Sequence, residues 1–146
     1  MTWYPHVTVA TVIEDQGRFL LVEEYADGKL VFNQPAGHLE RDETLIEAAL
    51  RETLEETAWT VEIEGMVGIS LYVAPSNGIT YCRHCFFGKP LRHNPALKLD
   101  DGIERAVWLS FDEITALGPR LRSPMVVKTI EHYLGGHRYP LSVIYG

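Results

Sequence analysis

Short runs of β-branched and apolar residues, cut by turn residues, alternate with one longer stretch that contains neither Gly nor Pro. His6 to Glu14 is rich in Val, Thr and Ile and predicts a first strand. Asp15-Gln16-Gly17 marks a turn, and Arg18 to Glu24 predicts the second strand of a hairpin. Asp27-Gly28 is a further turn. Leu30 to Gln34 predicts a short strand stopped by Pro35, and Ala36 to Asp42 a loop. Thr60 to Val73 alternates and holds Gly65 and Gly68, so one or two strands with a bend are expected. Pro75-Ser76-Asn77-Gly78 predicts a hairpin turn, with Ile79 to Gly88 as the returning strand. Lys89 to Gly102 carries two prolines and no clear period and is assigned to a loop. Ile103 to Leu109 predicts a strand, and Ser110 with Glu113 caps a short helix to Leu117. Ser123-Pro124 opens a last helix that runs to about Leu134 and stops at Gly135-Gly136. The tail from Tyr139 to Tyr145 is apolar enough to dock on the body.

The long stretch is Leu45 to Trp59, built of good helix formers. Thr44 is placed as its N-cap, and Glu47 completes a capping box. Glu52, Glu55 and Glu56 stand at i, i+3 and i+4 and project from one face. Like charges at that spacing cost a helix about 0.2–0.5 kcal/mol per pair, so a compensating cation is expected. Three carboxylates on one side make a hard, all-oxygen site that suits Mg²⁺ or Mn²⁺ better than zinc. Arg51 is the only base in the cluster, placed to reach Glu47 and also Glu43.

Charge and composition narrow the rest. Thirteen basic and twenty acidic residues give a formal charge of −7. With no basic run, a nucleic-acid surface is not expected. The chain has no apolar run of 18 residues, so no membrane span is expected. Its first residues lack the basic start and apolar stretch of a signal peptide, so a cytoplasmic location is the expectation. At 146 residues the chain fits one domain. Cys82 and Cys85 form a lone C-x-x-C with no second pair to complete a zinc site. An odd offset in a strand sends them to opposite faces, as free thiols.

Gly37, five residues, Glu43, seven residues, then Arg51-Glu52-x-x-Glu55-Glu56 resembles the signature of the Nudix hydrolases. Three positions depart from the family pattern. His38 replaces a common second Gly, and Thr53 a larger aliphatic. Ala58 stands where Gly is usual; holding it at φ > 0 would cost about 1 kcal/mol, which favours a slightly longer helix. The resemblance implies an α/β/α sandwich with a mixed, partly antiparallel sheet. It implies that Glu52, Glu55 and Glu56 bind metal, with the Gly37 carbonyl oxygen added, and that Arg51 and Glu43 orient the helix and loop. Catalytic work falls to Glu52, Glu55, Glu56 and Arg51. Glu55 or Glu56 is the favoured base, with Asp101 and Glu104 as loop alternatives.

A phosphorylated small molecule also needs cations. Arg18, Arg83, Arg122 and Arg138 are candidates, of which Arg83 on an apolar strand stands out; His38 lies beside the metal loop. Trp3, Tyr4, Tyr72 and Tyr81 are candidates for stacking on a flat ring. Beyond the signature, Pro5 to Ala10, Asn33 to Glu40, Leu121 to Pro124 and Arg138 to Leu141 resemble phosphatases within the family. These act on nucleoside tri- and diphosphates and on the diphosphate of the thiamine pyrimidine. The alternatives are a Nudix pyrophosphatase of sugar- or dinucleotide-type diphosphates and a non-catalytic nucleotide-binding module. A monomer is expected, with a dimer as the alternative.

Overall fold

Strand β1 (His6–Asp15) is the spine of the molecule, because its two faces bury two different cores. A computed structural model describes residues 2–146. Val9 and Ile13 point to one side, Ala10 and Val12 to the other, as the two-residue strand period requires. The elements that follow are β2 (Arg18–Ala26), β3 (Lys29–Asn33), β4 (Ala36–His38), α1 (Leu45–Thr57), β5 (Trp59–Val73), β6 (Thr80–His93) and β7 (Ile103–Ser110), then α2 (Phe111–Ala116) and α3 (Met125–Leu134). Among the described residues seven strands form one mixed sheet. β1 runs parallel to β6 and antiparallel to β4, while β5 pairs antiparallel with the outer side of β6. β2 lies between β3 and β7, antiparallel to both, and joins β1 at Glu14 and Asp15.

Helix α1 covers one face, where Ala48 and Ala49 pack on Val9, Ile13, Leu20 and Phe86. Helices α2 and α3 cover the other, with Ile114, Val126, Ile130 and Tyr133 against Ala10, Phe19 and Val67. This is the expected α/β/α sandwich. No helix is long and apolar enough to cross a membrane among the described residues.

Local chemistry sets the boundaries. Thr44 Oγ1 accepts from Glu47 N–H (3.0 Å) and Glu47 Oε1 from Thr44 N–H (2.9 Å), so the capping box is complete. Ser110 and Glu113 repeat the device at α2. At α3, Ser123 Oγ accepts from Met125 N–H (3.1 Å), while Pro124 already has helical angles. Gln16 and Gly17 both take positive φ, as a two-residue hairpin turn requires. The tail docks through a pair of main-chain hydrogen bonds between Met66 and Tyr139, both 2.8 Å, and through Leu141 and Ile144.

Three expectations are corrected. Helix α1 does not run on: it ends at Thr57, and Ala58 takes the left-handed conformation at φ 63°. Its N–H still bonds Leu54 O (2.9 Å), and the buried methyl offsets part of the strain. The segment after Pro35 is not all loop, since Ala36 to His38 pair with β1 as β4. β6 does not stop at Gly88 but continues to His93, with Pro90 opposite Val61 where the register shifts. A proline is tolerated at such an irregularity because the ladder bond it lacks is already broken.

Candidate active site

Gly37 and Glu52 occupy the same space from opposite sides. β4 brings Gly37 against α1, and a β-carbon on Gly37 would overlap the Glu52 carboxylate. One turn on, Glu56 reaches the same strand and accepts a hydrogen bond from Ala36 N–H (2.9 Å). Arg51 ties the assembly together. Its Nε and Nη2 hold both oxygens of Glu43 (2.7 and 2.9 Å), its Nη1 reaches Glu52 (2.5 Å) and Glu55 (3.4 Å), and Nη2 also bonds His38 O (3.1 Å). Glu43 in turn accepts from Glu40 N–H (2.9 Å). Arg51 therefore pairs with Glu43 and not with Glu47, which is committed to the cap.

The acids are not splayed into solvent. Glu56 is 8% exposed, and burial pushes its carboxyl up to about 9, with Glu24, Glu52 and Asp100 adding to the rise. Burial also raises Glu52 against the pull of Arg51. Glu55 is raised by loss of solvent and by Asp100, whose main-chain N–H bonds Glu55 O (3.0 Å). The Arg51 guanidinium holds Glu43 low, at about 2. Among the described residues no three of these groups stand in metal-ligating geometry, because Glu52 is turned onto Arg51 and Glu56 onto Ala36. The donor set nevertheless fits a divalent cation. Hard oxygens crowd together and raise one another's proton affinity, which is the imbalance that such an ion relieves.

Of these groups Gly37, Glu40, Glu52 and Glu56 form one wall of a cavity of about 1020 Å³. Arg83 and His38 line it as well. Arg83 is buried and donates to Thr129 Oγ1 (3.1 Å) and Gln34 Oε1 (3.4 Å). Burial, His6 and Arg122 lower the His38 pKa, and its Nε2 lies 3.1 Å from Nδ1 of His6. Arg18 is not brought there: it sits at the β1–β2 turn opposite Asp15 and Ser110, near Glu113. Arg138 stacks over Tyr133, 4.1 Å from the ring centre, outside the cavity. Arg122 lines the cavity and pairs with Glu24. Tyr72 and Tyr81 line it too, whereas Trp3 is exposed and Tyr4 stacks on His6. Cys82 and Cys85 are free thiols on opposite faces of β6, Cys85 in the core.

Two acids escaped the sequence argument. Asp100, not its neighbour Asp101, stands beside Glu55. Glu24 lies in the buried run of β2 and faces the cavity; the pair of adjacent acids, Glu23 and Glu24, following the apolar run Phe19 to Val22 was the available signal.

The fold and this wall define a Nudix hydrolase. The NUDIX domain profile matches residues 3–127, and the chain belongs to that family of phosphoanhydride hydrolases, which generally use divalent metal ions. Within the family, the chain is 42% identical to phosphatase NudJ of Escherichia coli K12 over 140 residues, covering 96% of this chain and 90% of that protein. A NUDIX hydrolase from Nitrosomonas europaea superposes with a TM-score of 0.96 at 46% identity, covering 98% and 97% of the two chains. The NUDIX domain of Shewanella oneidensis NrtR, solved with ADP ribose, shares the fold alone, with a TM-score of 0.71 at 16% identity over 91% of this chain and 90% of that one.

Proposed function

We propose that this Nudix hydrolase cleaves the phosphoanhydride bonds of nucleoside tri- and diphosphates, and of the diphosphate of the thiamine pyrimidine, with release of orthophosphate. Likeness to the NudJ phosphatases supports the phosphate-releasing chemistry. The observation that carries the proposal is the crowding of Glu52, Glu55 and Glu56 on one face of α1, with Glu52 packed against Gly37 and with Glu52 and Glu56 on one wall of a cavity that Arg83 also lines.

Glu52, Glu55, Glu56 and the Gly37 carbonyl are the groups that would hold Mg²⁺ or Mn²⁺. When bound, such an ion neutralises phosphate oxygens and makes water more acidic. The protein's own part is positioning and charge. Arg51, fixed by Glu43, offsets the mutual repulsion of the carboxylates of α1 and orients Glu52 and Glu55. Arg83 and His38 face the phosphates across the cavity. Glu55, the most open of the three acids at 38% side-chain exposure and adjacent to Asp100, takes the proton of the attacking water at its carboxylate.

The test is orthophosphate release from ATP, CTP and the pyrimidine diphosphate with Mg²⁺, for wild type, Glu55→Gln and Glu56→Gln. Each variant is expected to lose about 10²–10⁴-fold in turnover. Unchanged turnover in both removes the assigned roles. Two monophosphate products from a sugar- or dinucleotide-type substrate, with no orthophosphate from the nucleotides, would replace the phosphatase assignment by a pyrophosphatase. Nucleotide binding without product under any divalent ion would leave a binding module.

A further inference from the structure

The cavity floor is a ruled surface of side chains, set by strand register. His38 on β4 stands opposite Thr8 on β1, Thr8 opposite Arg83 on β6, and Arg83 opposite Ser70 on β5. Two residues along, on the same face, His6 stands opposite Tyr81, and Tyr81 opposite Tyr72. The two rows are about 6.5–7 Å apart. The first row adjoins Gly37 and the acid wall; the second lies one step further away. A row carrying His38 and Arg83 next to the acids is thus followed by a row carrying Tyr81 and Tyr72, and these four side chains line the same cavity.

Tyr81 is held as a fixed platform. His6 meets its ring edge-on at 5.7 Å, with 80° between the planes, and His38 at 6.2 Å and 67°. Its Oη accepts a hydrogen bond from Asn77 Nδ2 (3.1 Å). The sense of that bond is fixed, because Asn77 Oδ1 accepts from Ile79 N–H (2.9 Å) and leaves the amide nitrogen as the donor. The phenol proton of Tyr81 is therefore not used by Asn77. Tyr72 and Tyr81 are both half-buried and keep surface open to the cavity. At about 1020 Å³ the cavity holds far more than a diphosphate; pockets for organic ligands span roughly 300–1,000 Å³.

We propose that Tyr81 and Tyr72 form the subsite for the heteroaromatic ring of the substrate, a nucleobase or pyrimidine, with Tyr81 Oη donating to a ring acceptor and Asn77 positioning that hydroxyl. This rests on the proposed hydrolysis only in taking the ring and the phosphates to belong to one molecule. The phosphates then lie over Arg83 and His38, and the ring over the tyrosine pair.

The experiment compares CTP and ATP with tripolyphosphate, a phosphoanhydride without a ring, in Mg²⁺ buffer. The proteins are wild type, Tyr81→Ala, Tyr81→Phe and Tyr72→Ala, each checked for folding by circular dichroism; Tyr81→Leu replaces Tyr81→Ala if the latter does not fold. For Tyr81→Ala the ratio of kcat/KM on nucleoside triphosphate to that on tripolyphosphate is expected to fall about 10–100-fold, mainly through KM. Tyr81→Phe keeps the ring and should lose no more than about 10-fold. Equal losses on both kinds of substrate, or an unchanged ratio in both alanine variants, would overturn the proposal while leaving hydrolysis intact. If wild type hydrolyses none of them, the hydrolysis proposal fails by itself. Calorimetric titration with CMP and AMP then decides the subsite. Binding weakened at least about tenfold by Tyr81→Ala supports it, and equal binding, or none to wild type, refutes it.

Discussion

The main-chain N–H of Ala36 donates to the carboxylate of Glu56, 2.9 Å away, and joins the first strand of the motif to the last turn of its helix. A single peptide N–H is the largest influence favouring ionisation of a carboxyl that burial pushes up to about 9. A group whose folded pKa lies above its unfolded value of 4.5 stabilises the fold most below pH 4.5. That contribution is lost as pH rises through 9, because the unfolded chain gives up the proton first. In chelator, wild-type stability should therefore fall between about pH 5 and 9, by at most about 1.4 kcal/mol per pH unit from this residue. Glu56→Gln removes the titration and should flatten the slope, leaving a residue from Glu24 and Glu52, which are also raised. Thermal melts in EDTA across that range check this; superimposable slopes for the two proteins would refute it.

Arg51 is a brace whose shape matters as much as its charge. Its fork meets both oxygens of Glu43 while Nη1 reaches Glu52. Lysine carries the charge but offers one nitrogen and cannot span these partners. Arg51→Lys should thus lower phosphate release about 10–100-fold while the protein still melts cooperatively. Turnover within twofold of wild type would show that charge alone suffices.

Much of this wall was legible in the chain, because helix periodicity is local. The spacing of Glu52, Glu55 and Glu56, the Thr44 cap and the Gly37 approach all depend on residues fewer than twenty apart. What was not legible depends on register between distant strands. Arg18 and Arg83 were both candidates on strands, yet pairing puts one at a turn and the other on the cavity floor. Asp100 reaches Glu55 only because its loop folds back onto α1, through Asp100 N–H and Glu55 O. Pro90 looked like a strand breaker, but the register shift near Val61 absorbs it. Ala58 was expected to prolong the helix, since left-handed alanine is strained; tertiary packing overrode that local preference.

Ala58 offers a test of that override. Its left-handed backbone costs about 1–2 kcal/mol relative to glycine. Its methyl group is buried, at 3% exposure, and removing it costs about 0.8 kcal/mol. The first effect is the larger, so Ala58→Gly should stabilise the protein by about 0.5 kcal/mol, read as a higher midpoint in urea at unchanged m. A lower midpoint would mean that the methyl contact outweighs the strain.

Gly37 and Gly88 separate a functional close approach from a structural one. A β-carbon at Gly37 would overlap the Glu52 carboxylate, the free end of a flexible side chain that can rotate away. At Gly88 it would overlap the main-chain oxygen of Glu62, fixed in the β5–β6 ladder. Gly37→Ala should therefore cost less than about 1 kcal/mol of stability. It displaces a proposed metal-holding carboxylate, so phosphate release should fall about 10–100-fold. Gly88→Ala should do the reverse, losing about 1–3 kcal/mol because two strands must part, with turnover per folded molecule little changed. Urea denaturation and orthophosphate assays on the same preparations give both numbers. If Gly37→Ala destabilised as much as Gly88→Ala, or kept full turnover, the assignment of Glu52 to the reacting wall would be wrong.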